Sequence, residues 1–71
     1  MTDFQRLVLT RPHDHVLLIG LNRADKRNAF DLQMLNELGQ AVTLYEDDPT
    51  LRCAVLYAEG AHFTAGLDLG E

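Results

Sequence analysis

The sequence predicts an α/β fold of order β-β-α-β, and three observations carry that reading. Two runs, Phe4 to Thr10 and His15 to Leu21, are dense in aliphatic residues and are separated by a short polar break. A later run, Leu51 to Ala58, has the same character. Between the second and third runs, Met34, Leu35, Leu38, Ala41, Val42 and Tyr45 recur at spacings of three and four, the period of a helix with one apolar face.

Taken in order, Leu7, Val8 and Leu9 give the first strand its β-favouring centre. Arg11-Pro12-His13-Asp14 reads as a turn, because proline offers no ladder donor and aspartate favours turns. The second strand is almost continuously apolar, which is the pattern of a strand covered on both faces. A short turn makes these two strands an antiparallel hairpin. Asn22 to Asn28 is polar and basic and reads as a loop. Asp31 stands where a helix N-cap belongs. Gln33, Asn36, Glu37, Gln40 and Thr43 form the polar face of the helix. Gly39 costs that helix about 1 kcal/mol relative to alanine and marks a point of close packing. Glu46-Asp47-Asp48 stands unfavourably beside the negative helix end, and Pro49 closes the segment. The third strand is again of a buried type, and the helical crossover makes it parallel to the second, with a right-handed connection. One helix cannot cover both faces of such a sheet, so the chain is expected to be the front part of a larger domain.

With 71 residues, the chain buries only about 60% of its unfolded surface. A hydrophobic content of 46% with 24% charged residues is ordinary for a globular protein and argues against disorder. The net charge of −5 disfavours nucleic acid and anionic membranes as partners. No apolar stretch approaches the length of a membrane span. Cys53 is the sole cysteine, so the chain cannot be a disulfide scaffold, and its place in an apolar run predicts buried filler. Without a signal-peptide pattern at the start, a cytoplasmic protein is expected.

Two segments could carry chemistry. Arg23, Lys26 and Arg27 place three of the six basic residues within five positions of an acidic chain. That loop is either a phosphate holder, with Arg27 as a bidentate fork, or a solvated connection partly neutralised by Asp25. The second segment is the corner after the third strand, Phe63-Thr64-Ala65-Gly66-Leu67-Asp68-Leu69. A corner between a strand and a new helical element leaves backbone N–H groups without partners, and these bind anions or a developing oxyanion. Gly66 tolerates positive φ, and Leu67 N–H is among the first free donors. Asp68 reads either as a capping carboxylate or as an acid–base, with capping the commoner role.

The remaining candidates are weaker. His13 and His15 share a strand face and could ligate a metal, but no third ligand stands at suitable spacing, so a strand-edge role is expected and no metal site is assigned. His62 is either a ligand-positioning group or polar surface. Tyr57 and Phe63 read as core or pocket wall.

In order along the chain, Leu21-Asn22-Arg23, Lys26-Arg27-Asn28-Ala29-Phe30, the amphipathic helix, Glu46-Asp47-Asp48-Pro49, the apolar strand and Phe63 to Leu69 resemble the crotonase superfamily, whose best-known members are enoyl-CoA hydratases and isomerases. The resemblance runs from about Val16 to Leu69. It implies the N-terminal β-β-α-β portion of a crotonase-like (ClpP/crotonase) spiral fold, truncated, with residues 1–71 forming part of one domain. It further implies an acyl-CoA thioester substrate, with coenzyme A entering as part of that substrate and no permanently bound cofactor. Leu67 would supply one oxyanion-hole N–H. Lys26, Arg27 and Ala29 would lie at the phosphate and adenine end of CoA, and Ala65, Gly66, Leu67, Asp68 and Leu69 along the adenine and thioester site.

The family's second oxyanion donor and its acid–base carboxylates lie in later segments that this chain lacks, and no catalytic role is carried onto Asp68. Thr64 stands where serine, alanine or cysteine is frequent. Family members commonly form trimers or pairs of trimers. The nominal reaction of a full-length form is hydration of a trans-2-enoyl-CoA, and the alternative is a truncated non-catalytic product or a weak CoA-binding or interaction module.

Overall fold

The computed structural model describes residues 4–68. Three strands form one sheet of order β1-β2-β3, where β1 is Leu7–His13, β2 is Val16–Leu21 and β3 is Cys53–Ala58. Strands β1 and β2 pair antiparallel, with Leu7 opposite Leu21 and Leu9 opposite Ile19. Strands β2 and β3 pair parallel, from Val16 opposite Cys53 to Leu21 opposite Ala58. The connection between them carries a short 3₁₀ turn at Ala24–Lys26 and the helix α1, Leu32–Asp47. The predicted β-β-α-β order and the parallel pair are therefore present.

The first strand extends further than the turn prediction allows. Pro12 lies inside β1, and the reversal is made by Asp14 and His15. Proline is tolerated there because β1 has a neighbour on one side only, and the register shifts between Thr10 and His13. Arg11, on the same strand, donates to the Asp14 carbonyl at 2.6 Å and to Asp48 Oδ2 at 2.8 Å. It thereby brings a cation to the C-terminal end of α1, where the sequence placed only acidic residues.

The core lies between one sheet face and α1. Leu7, Leu17, Ile19, Leu21, Met34 and Ala41 are buried together, with Phe4, Leu9, Phe30, Leu38, Tyr45, Leu51 and Ala58 packed around them. Met34, Leu38, Ala41 and Tyr45 form the inward stripe of α1. Leu35 and Val42, at the edge of the predicted apolar face, are more than 40% exposed. Asp31 is the N-cap, and its Oδ1 accepts from the Met34 N–H at 2.8 Å.

Glu37 departs from the predicted polar face. It is only 6% exposed, and its Oε1 accepts from the backbone N–H groups of Gln5, Arg6 and Leu7 at 3.0, 2.8 and 3.2 Å. A carboxylate taking three N–H groups fixes the entry into β1 and answers donors that no strand pairs. Gly39 also departs from expectation, since a Cβ built there meets nothing within 4 Å. The position is open surface, not a close contact.

The third strand is not a buried one. Cys53, Ala54, Val55 and Leu56 are exposed, and only Tyr57 and Ala58 are half-buried. The reason is positional: among the described residues β3 stands at the edge of the sheet, and the core that α1 covers is built on β1 and β2. Cys53 is accordingly an exposed thiol, not core filler. On the sheet face away from the core, Tyr57 lies across Gly20, its register partner on β2, so closely that a Cβ at Gly20 would fall 2.6 Å from the ring.

Two outcomes are expected from this packing. Gly39→Ala should stabilise the chain by up to about 1 kcal/mol, read from denaturant midpoints, because the site is helical and uncrowded. The exposed apolar edge at Val55 and Leu56 should produce concentration-dependent self-association in sedimentation, relieved by Val55→Lys. A concentration-independent monomer would contradict the second expectation.

Candidate functional site

The site is built where the 22–31 loop meets the chain leaving β3. The loop is shaped by two consecutive left-handed residues, Arg27 at φ 54° and Asn28 at φ 57°. That backbone turns the Asn28 side chain inward, where it is fully buried. Its Oδ1 accepts from Arg23 N–H at 2.7 Å, closing the loop on itself. Its Nδ2 donates to the carbonyls of Glu59 and His62 at 2.7 and 2.8 Å. The amide orientation follows from these partners, one donor and two acceptors. Asn28 thus staples the basic loop to the segment that leads into the corner.

Three further bonds fix the corner itself. Thr64 Oγ1 donates to the Asn28 carbonyl at 2.7 Å and accepts from Gly66 N–H at 3.1 Å. Phe30 and Leu67 form an isolated parallel bridge: Phe30 N–H donates to the Gly66 carbonyl and Asp68 N–H to the Phe30 carbonyl, both at 2.8 Å. Gly66 adopts φ 91°, open to glycine at no steric cost. The Gly66–Leu67 peptide is trans, so its N–H points opposite to its C=O. Because that carbonyl faces Phe30, the Leu67 N–H is aimed away from the loop. Among the described residues it meets no acceptor. A helix start was expected here; among the described residues the donor is instead freed by a one-residue bridge.

The charged groups divide into two sets. Arg23 is inward: Nη1 donates to the Ala29 carbonyl at 2.9 Å and to Asp68 Oδ2 at 3.0 Å, and Nη2 lies 3.6 Å from Asp31 Oδ2. Arg6 Nε meets the same Asp31 oxygen at 3.0 Å. The hydrogen bond from Met34 N–H, against the cost of burial, and then Arg6 and Arg23 hold the Asp31 carboxyl below its ordinary value. Asp68 is thus an ion-pair partner of Arg23, beyond the two roles read from the sequence. Lys26 and Arg27 are exposed, and among the described residues neither has an ion-pair partner.

The structure therefore brings Ala29, Gly66, Leu67 and Asp68 into one bonded cluster, with Ala65 between the bonded residues Thr64 and Gly66 and with Lys26 and Arg27 exposed on the same loop. Leu69 lies outside the described residues. Phe63 and Leu67 side chains are more than half exposed, so Phe63 is not core. His62 contributes its carbonyl to Asn28. The His13 and His15 rings stand 5.5 Å apart at the hairpin tip, and no group of three metal-ligating residues exists among the described residues. Asn28 holds the site together although its residue type alone does not single it out. Its signal was an asparagine directly after a basic pair at the end of a loop, a type that tolerates left-handed backbone.

Asn28→Ala would strand the Arg23 N–H and two carbonyls, each at a cost of about 1–3 kcal/mol. The variant should lose cooperative unfolding under conditions where Gly66→Ala, strained by about 1–2 kcal/mol at its positive φ, still unfolds cooperatively. Asp31 and Asp48 are both held below the ordinary value of 3.8, Asp48 chiefly by hydrogen bonds from Thr50. Their stabilising contribution is therefore complete above that value and is lost as pH falls through the lowered folded values. Acid unfolding of Asp31→Asn, which keeps the cap but not the charge, should be less steep below pH 3.8 than that of the parent.

Comparison with known proteins agrees with this geometry. A family described as Enoyl-CoA hydratase/isomerase matches residues 11–71. The enoyl-CoA hydratase EchA19 of Mycobacterium tuberculosis is 36% identical over 61 residues, covering 86% of this chain and 23% of that protein. The mevalonyl-coenzyme A hydratase SIDH of Beauveria bassiana is 42% identical over 60 residues, covering 84% of this chain and 21% of that protein. The crystal structure of a probable enoyl-CoA hydratase/isomerase from Mycobacterium abscessus superposes with a TM-score of 0.90 at 57% identity, covering 96% of this chain and 26% of that one. The chain thus spans about a quarter of the length of the relatives it matches. No helix among the described residues is long and apolar enough to cross a membrane. With the ordered motifs, the parallel β-α-β unit and the pinned corner in agreement, the chain belongs to the enoyl-CoA hydratase/isomerase family of the crotonase superfamily.

Proposed function

We propose that this chain forms the acyl-CoA-binding front portion of a crotonase-type enzyme, in which Leu67 N–H stabilises the negative charge that develops on the thioester oxygen. The observation that carries the reading is the outward Leu67 N–H, aimed by the bridge to Phe30 and unclaimed among the described residues. A donor fixed before the reaction costs no reorganisation during it, and loss of one such donor costs about 3–4 kcal/mol in acyl-transfer enzymes. The exposed Lys26 and Arg27, without an ion-pair partner among the described residues, are suited to the CoA phosphates, with the backbone of Ala29 beside them. Ala65, Gly66, Asp68 and Leu69 complete the thioester side, where small residues and backbone admit a close approach.

Coenzyme A enters as part of the substrate, and no permanently bound group is required. In the full-length enzyme the nominal reaction is hydration of a trans-2-enoyl-CoA, with the second donor and the acid–base carboxylates supplied by other segments. Asp68 is engaged by Arg23 and serves the framework, not proton transfer. A homo-oligomer, trimer or hexamer, follows by family analogy. A cytoplasmic location fits a lone cysteine with no disulfide partner in the chain.

Calorimetric titration of crotonyl-CoA into the 71-residue chain should show binding without turnover. Lys26→Ala combined with Arg27→Ala should weaken it about tenfold at low salt, and less as salt rises. Turnover of crotonyl-CoA by the chain alone would overturn the assignment of the carboxylates to other segments. Absence of any binding would overturn the CoA reading.

A further inference from the structure

The loop that carries Lys26 and Arg27 and the corner that carries Leu67 are joined by more than proximity. The backbone of Asn28 and Phe30 holds the corner at several points. The Asn28 carbonyl takes the Thr64 hydroxyl at 2.7 Å. The same hydroxyl oxygen takes Gly66 N–H at 3.1 Å, which fixes the peptide before Gly66. Phe30 N–H donates to the Gly66 carbonyl, which fixes the peptide after it. Gly66 is thereby held on both sides. A glycine at φ 91° with open space around it would otherwise be the most mobile point of the corner.

We propose that Thr64, seated on Asn28, is the positioning residue that aims the Leu67 N–H, so that the loop proposed to hold the CoA phosphates and the donor proposed to hold the thioester oxygen move as one body. This rests on the function proposed above. Asn28 is buried and its side chain answers three backbone groups, whereas the Thr64 hydroxyl, among the described residues, hydrogen-bonds only the Asn28 carbonyl and the Gly66 N–H. The hydroxyl must both donate and accept, a requirement serine meets and valine does not. Removing it frees the Ala65–Gly66 peptide while leaving the Asn28 staple intact. The loop should then keep its grip on CoA, and the donor should lose its fixed direction.

The test is 1H–15N spectroscopy of the full chain as wild type, Thr64→Val and Thr64→Ser, first without ligand and then with CoA or crotonyl-CoA. Without ligand, Thr64→Val should shift the Gly66 and Leu67 amide resonances and speed exchange at Gly66, while Thr64→Ser should leave both near their wild-type positions. With ligand, the wild type and Thr64→Ser should show a Leu67 shift with crotonyl-CoA that CoA does not produce. Thr64→Val should lose that difference. Its affinity for CoA should stay within about twofold, and its preference for crotonyl-CoA should fall by about two- to tenfold, the range of one hydrogen bond. Unchanged Gly66 and Leu67 resonances in ligand-free Thr64→Val overturn the positioning role, as does Thr64→Ser behaving like Thr64→Val. A wild type whose residues 26–29 respond to both ligands, but whose Leu67 distinguishes neither, overturns the oxyanion reading; the ligand-free comparison still decides the positioning role.

Discussion

The side chain of Asn28 is the constraint on which the functional end of this molecule depends. A buried amide must find partners for its donors and its acceptor, and here they lie at Arg23, Glu59 and His62. Satisfying them forces the basic loop and the exit from β3 into one arrangement. The left-handed backbone at Arg27 and Asn28 is tolerated because that network over-determines it. Once the two segments are joined, the bridge between Phe30 and Leu67 follows, and with it the direction of a backbone donor.

The same device recurs at two other points. Asp31 caps α1 while holding Arg6 and Arg23, and Glu37 gathers three N–H groups at the start of β1. Asn28, Asp31 and Glu37 are the buried polar residues among the described ones, and each ties together segments distant in the sequence. No buried side-chain nitrogen or oxygen among the described residues lacks a partner. A small sheet covered by one helix has little apolar area with which to fix its loops. Specific polar bonds do that work instead.

This division explains what could be read from the sequence. The helix, its N-cap and the three strands follow from local periodicity and capping chemistry, which depend on neighbours within a few residues. The inward stripe of Met34, Leu38, Ala41 and Tyr45 is visible in the spacing alone. Glu37 and Asn28 are not, because their partners lie about thirty residues away and a polar letter reads by default as surface. Pro12 reads as a turn residue in the sequence because edge position is a property of the sheet. The exposure of β3 was missed for the same reason: an apolar run shows that a strand can be buried, not which element covers it. Of the candidate site, residue types and order were legible. That Arg23 faces inward while Lys26 and Arg27 face out was not.

The contact between Gly20 and Tyr57 bears on how this fold varies. The two positions are register partners on adjacent parallel strands, and the ring occupies the space that any side chain at position 20 would need. They therefore share a single volume on the sheet face away from the core. In natural sequences of this architecture, a larger residue at one is expected to accompany a smaller residue at the other. The pair would mark the β2–β3 register in an alignment even where the strands themselves have diverged.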